Sequence, residues 1–233
     1  MATSGSFDFS VDRDDIITEA LQICGAIGDG ETPTADQLTS CSRTLNMLIK
    51  AWQADGLQLF RRKTYTITPT AGTASYSFGS GGDVSEVPTR VLTVFKRDTD
   101  NNDTPLTPMS YMEYQDLSSK SQQSQPTSYY FEYLGSTAKL FIWPTYSASP
   151  TDTLYVMASR PIYDFDAASD DADVPNYYML ALSWGLAFAL TTKYGVDRDT
   201  KNEIKEQAMY YKAEALSYDT EQNTSVFVQP ARH

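Results

Sequence analysis

The spacing of apolar residues changes twice along this chain, and that change constrains the fold more than any single motif does. Apolar residues recur at steps of three and four from about residue 12 to residue 56, and again from about residue 175 to residue 219. Between these segments, from about residue 63 to residue 161, polar and apolar residues alternate in short runs broken by Gly and Pro. The first spacing is typical of amphipathic helices and the second of strands. The sequence therefore predicts an α+β protein, with a helical bundle built from both ends of the chain and an inserted β domain.

The changes of spacing also predict the domain boundaries. Residues 1–62 are expected to form an N-terminal helical hairpin, residues 63–161 the inserted β domain, residues 162–219 the helices that complete the body, and residues 220–233 an extended C-terminal arm. The β domain is expected to be a small sandwich or barrel. Its strand candidates are residues 65–68, 75–78, 91–95, 129–133, 140–143 and 154–158, with a short helix at residues 110–117.

Two short motifs predict where helices begin. Thr34 and Gln37 form a capping box, in which each side chain binds a backbone amide at the start of a helix. Thr200 and Glu203 have the same spacing and predict a second such start. The first helix is expected to begin near Asp12, because carboxylates follow it in the first turn and favour the positive end of the helix dipole.

Four large apolar residues are the predicted packing residues between helices or subunits. Leu45 and Trp52 lie on the apolar face of the second helix. Trp184 and Phe188 lie in residues 177–190, which carry almost no polar face. A helix that is apolar on all sides is buried on most of them, in the body or against a neighbouring subunit. We therefore expect Trp184 and Phe188 to be buried.

Composition excludes several classes of partner. The chain has 18 Lys and Arg against 30 Asp and Glu, a formal net charge of −12. Binding to nucleic acid depends mostly on basic residues that neutralise phosphates, so free nucleic acid is not expected as a ligand. The longest apolar run has roughly 14 residues, which is short for a membrane span. No membrane partner is expected, and the protein is expected to be soluble and made in the cytoplasm.

No constellation of residues predicts an enzyme, a cofactor site or a metal site. The single histidine, His233, is the last residue, and there is no nucleophile elbow, phosphate-binding glycine loop or zinc pair. The acidic run at residues 164–173 is read as a solvated linker, with a calcium site as the alternative. Cys24 and Cys41 are read as buried thiols, with a disulfide across the first hairpin as the alternative.

Several stretches together resemble a known family. They are DIITEAL at residues 15–21, LNMLIKAW at 45–52, DGLQL at 55–59, PTSYYFE at 126–132, KLFIWP at 139–144, RP at 160–161 and VPNYYMLAL at 174–182. In this order, the chain resembles the head-to-tail adaptors of short-tailed bacteriophages, the tail accessory or tail tubular A-like proteins. The resemblance covers nearly the whole chain, and its specificity lies in the order of the stretches.

The resemblance implies a structural connector found in the virion neck or tail. Family members form a ring of about a dozen copies below the portal protein, matching its symmetry. The ring extends the channel through which the phage DNA passes without specific binding, and it offers a docking surface to the tail nozzle or fibres. By resemblance, the arm reaches the portal, with Val226, Phe227, Val228 and Pro230 as its binding residues.

Two other functions remain open on the sequence. The β domain, rich in the chain's 16 tyrosines, is the candidate for a carbohydrate- or receptor-binding tail module. A phage-associated hydrolase is the third possibility, and the missing histidine and catalytic motifs argue against it.

Overall fold

The computed structural model describes residue 5, residues 9–54 and residues 59–219, except for the side chain of Leu59. The four arm residues Val226, Phe227, Val228 and Pro230 lie outside the described residues, as does His233. The described chain contains five α-helices and two four-stranded sheets, so the predicted α+β class is confirmed. The chain divides into two compact units, one of Met1–Phe60 with Ile162–His233, the helical unit, and one of Arg61–Pro161, the strand unit.

Four of the helices belong to the helical unit. They are α1 (Arg13–Ile23), α2 (Ala35–Ala54), α4 (Met179–Leu190) and α5 (Arg198–Tyr218), and a 3-10 turn at Asn176–Tyr178 leads into α4. The remaining helix, α3 (Tyr111–Gln115), belongs to the strand unit.

The first two helix starts follow the sequence prediction. Asp12 caps α1, and its Oδ1 accepts a hydrogen bond from the backbone N of Asp15 at 2.8 Å. At the start of α2, the backbone N of Thr34 donates to Gln37 Oε1 at 2.8 Å, and the backbone N of Gln37 donates to Thr34 Oγ1 at 3.3 Å. The predicted capping box at Thr34 is confirmed.

The predicted capping box at Thr200 is wrong. The cap of α5 is Asp197, whose Oδ1 accepts hydrogen bonds from the backbone N atoms of Asp199 and Thr200, each at 3.0 Å. Thr200 therefore lies inside the first turn of the helix. An Asp with extended backbone is a strong cap in its own right. These backbone hydrogen bonds lower the pKa of the Asp197 carboxyl.

The strand unit contains eight strands. They are β1 (Arg62–Ile67), β2 (Ser75–Phe78), β3 (Arg90–Arg97), β4 (Asp103–Pro105), β5 (Thr107–Pro108), β6 (Ser128–Tyr133), β7 (Ala138–Trp143) and β8 (Thr153–Ser159). One sheet has the order β1-β8-β3-β4 and the other β2-β7-β6-β5. Every pair is antiparallel except β5 with β6. Each of the six strand candidates overlaps one of these strands, and the two short strands β4 and β5 were not predicted.

The two sheets share one hydrophobic cluster. Alternate residues of β1, β2, β7 and β8 point into it, as the period of two requires. Its largest fully buried members from the strands and loops are Phe78, Leu140, Ile142, Tyr146 and Leu154. The predicted short helix is confirmed as α3, where Ser110 and Glu113 form a capping box.

Arg61 is almost fully buried at the start of the strand unit, with 1% of its surface exposed. Its Nε donates to the carbonyl O of Arg160 at 2.9 Å, and its Nη2 donates to Thr89 Oγ1 at 2.5 Å. The backbone N of Arg160 in turn donates to the carbonyl O of Arg61 at 2.8 Å. Burial lowers the pKa of the guanidinium, and the charge of Arg160 lowers it further. The two ends of the strand unit are thus joined by hydrogen bonds between Arg61 and Arg160.

The core of the helical unit is built around α4, which packs against α1, α2 and α5. The close approach of α2 depends on Gly185. A Cβ atom there would lie 2.9 Å from Trp52 Cζ2 and 3.3 Å from Leu48 Cδ2. Real Cβ contacts of 2.9 Å are essentially absent from proteins, so any side chain at this position must displace the indole.

Replacing Gly185 by Val is expected to destabilise the helical unit by about 2–3 kcal/mol, because overpacking a tight core forces side chains and backbone apart. Urea unfolding followed by circular dichroism measures the change. Ala189→Val is the matched control, since Ala189 is exposed on the same helix. Its effect is expected to stay within about 0.5 kcal/mol. Equal losses in the two variants would contradict the packing role of Gly185.

Stability is expected to fall at alkaline pH. Burial raises the pKa of Tyr194 to about 12, with the neighbouring Cys41 thiol as the second cause. An unfolded tyrosine has a pKa of about 10. Because the pKa of Tyr194 is higher in the folded than in the unfolded chain, the contribution of this residue to stability is complete below pH 10 and is lost as the pH rises towards 12. Burial shifts the pKa of Tyr146 and Tyr178 in the same direction.

The measurement is the urea midpoint between pH 9 and pH 12 for the wild type and for Tyr194→Phe. We expect the midpoint of the wild type to fall across this range, and that of Tyr194→Phe to fall less steeply. A wild-type midpoint that does not change with pH would refute the assignment.

Candidate docking surface of the helical unit

An apolar stripe on α4 remains partly open to solvent. The residues of the stripe follow one another at steps of three and four, so they lie on one side of the helix. They are Tyr177 of the preceding 3-10 turn and Leu180, Trp184 and Phe188 of α4. Leu180 is 48% exposed and Tyr177 is 42% exposed. Trp184 and Phe188 pack against the core cluster and are partly buried, so their burial within a single chain is incomplete. The helices that surround α4 cover this side of it only in part.

The other two predicted packing residues lie inside the core. Leu45 is fully buried in the cluster formed by α1, α2, α4 and α5. Trp52 is almost fully buried against Gly185, and the Nζ of Lys212 lies 5.0 Å from the centre of its ring. Both residues hold helices of the same chain together.

A first cavity lies beside Leu180. Its volume is about 530 Å³, and it is open to solvent on one side. Residues of α1, of α4 and of the segment before α1 line it: Phe9, Val11, Asp15, Thr18, Glu19, Asn176, Met179, Leu180 and Ser183.

A second cavity lies beside Trp184, with a volume of about 580 Å³. The ring of Trp184 packs against Tyr211 of α5, with their centres 5.8 Å apart. The lining residues come from α1, α4 and α5: Ile23, Trp184, Thr200, Glu203, Ile204, Glu206, Gln207 and Tyr211.

The two cavities follow one another along the same helices. Glu19 and Ile23 are one turn apart on α1, and Leu180 and Trp184 are one turn apart on α4. We call the combined surface the α4 groove. Leu180 and Trp184 of α4 form its floor, α1 borders the first cavity, and α5 borders the second, where α1 contributes Ile23.

The walls of the α4 groove are acidic. Four carboxylates line the two cavities: Asp15, Glu19, Glu203 and Glu206. No Lys or Arg is found among the described residues that line them. An apolar floor between negative walls favours a ligand segment that is apolar and carries a positive charge.

The last residues of α5 lie next to the first residues of α4. Tyr178 OH donates a hydrogen bond to Asp219 Oδ2 at 3.4 Å, and the rings of Tyr177 and Tyr218 have centres 6.0 Å apart. Burial raises the pKa of Tyr178, and the charge of Asp219 raises it further. The described chain therefore stops beside Met179 and Leu180, at one end of the α4 groove.

The acidic run at residues 164–173 has structural partners. Asp164 forms an ion pair with Lys50 at 2.7 Å. Asp170 Oδ2 accepts hydrogen bonds from the backbone N atoms of Asp166 and Ala167, which lower the pKa of its carboxyl. Among the residues that the structure describes, no three potential metal ligands come together. The hydrogen bonds and the ion pair of this run hold the segment before α4 in its conformation.

Both cysteines are free and buried. Burial raises the pKa of the Cys24 thiol and of the Cys41 thiol, so both resist conversion to the reactive thiolate. The disulfide considered as an alternative is not formed. Across residues 9–54 and 59–219, no helix is both long and apolar enough to cross a bilayer.

A second exposed apolar surface lies on the strand unit. Tyr111 of α3 is 52% exposed, and its ring centre lies 6.0 Å from that of Tyr130. Tyr130 stacks with Tyr114 at 5.4 Å and with Phe141 at 5.8 Å. These rings cover one another's faces and pack α3 onto the sheet. Among these rings, only that of Tyr111 is largely exposed, next to the exposed side chain of Met112.

Sequence reasoning missed the α4 groove itself. The sequence feature that could have indicated the groove is the set of acidic residues on α1 and α5. In the sequence alone, these residues look like ordinary solvent-exposed positions, and only the packing of the helices brings them to one surface.

The model of a family described as SU10 adaptor protein matches residues 12–231. No curated protein matches the chain.

Proposed function

The chain belongs to the SU10 adaptor protein family, and from this membership we propose that it is a structural head-to-tail connector. The family is consistent with a phage adaptor and with a place in the virion. In the proposed role, copies of the chain form a ring beneath the portal, extend the DNA channel and offer a docking surface to the tail nozzle or fibres.

The observation that carries the proposal is the extent of the family match. It begins at Asp12, the cap of α1, and continues through both units to residue 231. The match therefore covers the sequence of both units and most of the segment that we assign to the arm. The proposed layout is a helical bundle that carries an inserted β-sandwich, and the hydrophobic cluster common to the two sheets supports it.

The open stripe on α4 supports a ring. An apolar surface left exposed on a single chain is typical of a surface that a partner covers. Trp184 and Phe188 are the residues that we assign to packing between subunits, and Leu45 and Trp52 those assigned to packing between helices. A ring of about twelve copies would match the symmetry expected of a portal.

The charge supports passage of DNA without binding. The net charge of −12 gives the ring an acidic surface that repels phosphate and lowers friction on the genome. We propose a structural role with no catalytic step, no cofactor and no membrane partner. The chain is then made in the host cytoplasm and joins the virion during assembly.

The arm is the proposed contact with the portal. Val226, Phe227, Val228 and Pro230 are an apolar group in an otherwise polar segment. A segment that becomes ordered only on docking gains free energy from the apolar area that it buries and loses conformational entropy in the same step. This coupling suits an assembly whose components join in a fixed order.

The test is electron microscopy and native mass spectrometry of the chain mixed with the portal ring of the same phage. We expect a stacked complex with one adaptor for each portal subunit. A chain that remains separate from the portal under all mixing ratios would overturn the connector proposal.

A carbohydrate-binding tail module is the second candidate, and the exposed ring of Tyr111 is the observation that favours it. Aromatic rings bind the apolar faces of sugars, but the neighbouring rings here are occupied by one another. Glycan-array binding of the full chain, with Tyr111→Ala as the comparison, tests this. Binding that Tyr111→Ala removes would support the module, and the absence of binding would eliminate it.

A further inference from the structure

We propose that, before assembly, the arm of each chain docks in the α4 groove of the same chain, with Val226, Phe227 and Val228 on the apolar floor and Arg232 towards the acidic walls. This inference rests on the proposed function, because the same arm is there assigned to the portal. It adds a bound state of the arm within the free chain, from which the portal must displace it.

The chemistry of the groove selects this occupant. The floor offers Leu180 and Trp184, and the walls offer four carboxylates with no basic residue among the described residues that line the cavities. The arm contains three consecutive apolar residues followed, four positions after Val228, by Arg232. An apolar run and one positive charge in this order match an apolar floor bordered by negative charge.

The position of the last described residue favours the same chain as the source. Asp219 is held by Tyr178, directly before Met179 and Leu180 of the groove. From Asp219 to Val226 the chain can span up to about 23 Å. From Tyr178 to Trp184 along α4 is about 9 Å. The arm therefore reaches every part of the floor without strain.

Docking within the chain would also cover the exposed apolar stripe before assembly. A free adaptor with Leu180 and Tyr177 open to solvent risks nonspecific association. The portal would then compete with the groove for the arm, and release of the arm would uncover the stripe for the next subunit of the ring. Arm capture and subunit packing would thereby occur in a fixed order.

The test measures access to the groove in the free protein, without the portal. Leu180→Cys is labelled with a maleimide in the full chain and in a chain that ends at Asp219. Because the native thiols are buried with raised pKa values, the new thiol dominates the reaction. We expect labelling in the full chain to be about tenfold slower, as for an arm that is docked about ten times more often than not.

Matched variants keep the test specific. Met47→Cys, on the exposed side of α2, is expected to react equally fast in the two chain lengths. Thr18→Cys, on α1 where it lines the first cavity, is expected to be protected like Leu180→Cys. Phe227→Ser should restore fast labelling at both groove positions, and Glu19→Lys should restore it partly.

Two outcomes would overturn the inference. Equal labelling of Leu180→Cys and Thr18→Cys in the two chain lengths would show that the arm does not cover the groove. Protection that disappears on dilution would show that the arm comes from a second copy. Neither outcome depends on the portal, so failure here and failure of the connector proposal are distinguished by whether the full chain still forms the stacked complex.

Discussion

Removal of residues 220–233 is expected to abolish binding to the portal ring while leaving the rest of the chain folded. The two hydrophobic clusters among the described residues draw on positions between 11 and 215, so we expect both clusters to form without the arm. Losing the burial of Val226, Phe227 and Val228 at the portal would cost at least about 4 kcal/mol. Such a loss corresponds to a fall in affinity of roughly a thousandfold.

Sedimentation of mixtures with the portal ring measures the loss of binding, and thermal unfolding of the truncated chain measures its fold. A full-length control with Gln222→Ser and Asn223→Ser changes the polar part of the arm and should bind normally. If the truncated chain binds the portal as the wild type does, the arm is not the portal contact. If its melting temperature drops sharply, the arm is part of the fold.

Replacing Arg61 by Ala is expected to destabilise the strand unit by about 3–5 kcal/mol. The change leaves a cavity at a buried position. It also removes the hydrogen bonds that Arg61 donates to the carbonyl O of Arg160 and to Thr89 Oγ1, and hydrogen bonds that involve a charged group contribute more to stability than neutral ones. Losses of this size take up much of the stability of an ordinary domain.

The control for Arg61→Ala is Arg90→Ala, which removes the same side chain from an exposed position at the start of β3. Its effect on the urea midpoint is expected to lie within about 0.5 kcal/mol. Arg61→Lys keeps a charge but cannot reach both acceptors, so an intermediate loss is expected. If Arg61→Ala and Arg90→Ala lower the midpoint equally, the network at Arg61 does not stabilise the unit.

The regular elements could be predicted because each has a local cause. Thr34 and Gln37 bind each other's backbone amides, so the start of α2 is encoded within four residues. The strands β4 and β5 have three and two residues, too few to show an alternation. The start of α5 was misplaced because Asp197 and Thr200 are both good caps, and only the fold decides between them.

The α4 groove could not be predicted because it depends on which helices lie side by side. Residues 177–190 are apolar on nearly every side, so their sequence does not mark the side left open at Leu180. The half-burial of Trp184 and Phe188 has the same origin. The burial of Arg61 was also missed, since it is the first of three consecutive basic residues, a pattern typical of an exposed segment.

The helical unit is made from the two ends of the chain, and this sets an order for its folding during synthesis. Helices α1 and α2 leave the ribosome before α4, their principal packing partner, has been made. About 125 residues separate Ala54 from Met179, which corresponds to roughly 6 to 25 s of translation. The strand unit, which is continuous in sequence, is complete before then and can fold first. The nascent chain therefore carries the apolar faces of α1 and α2 without α4 to cover them until late in its synthesis, so we expect it to bind a chaperone at the ribosome.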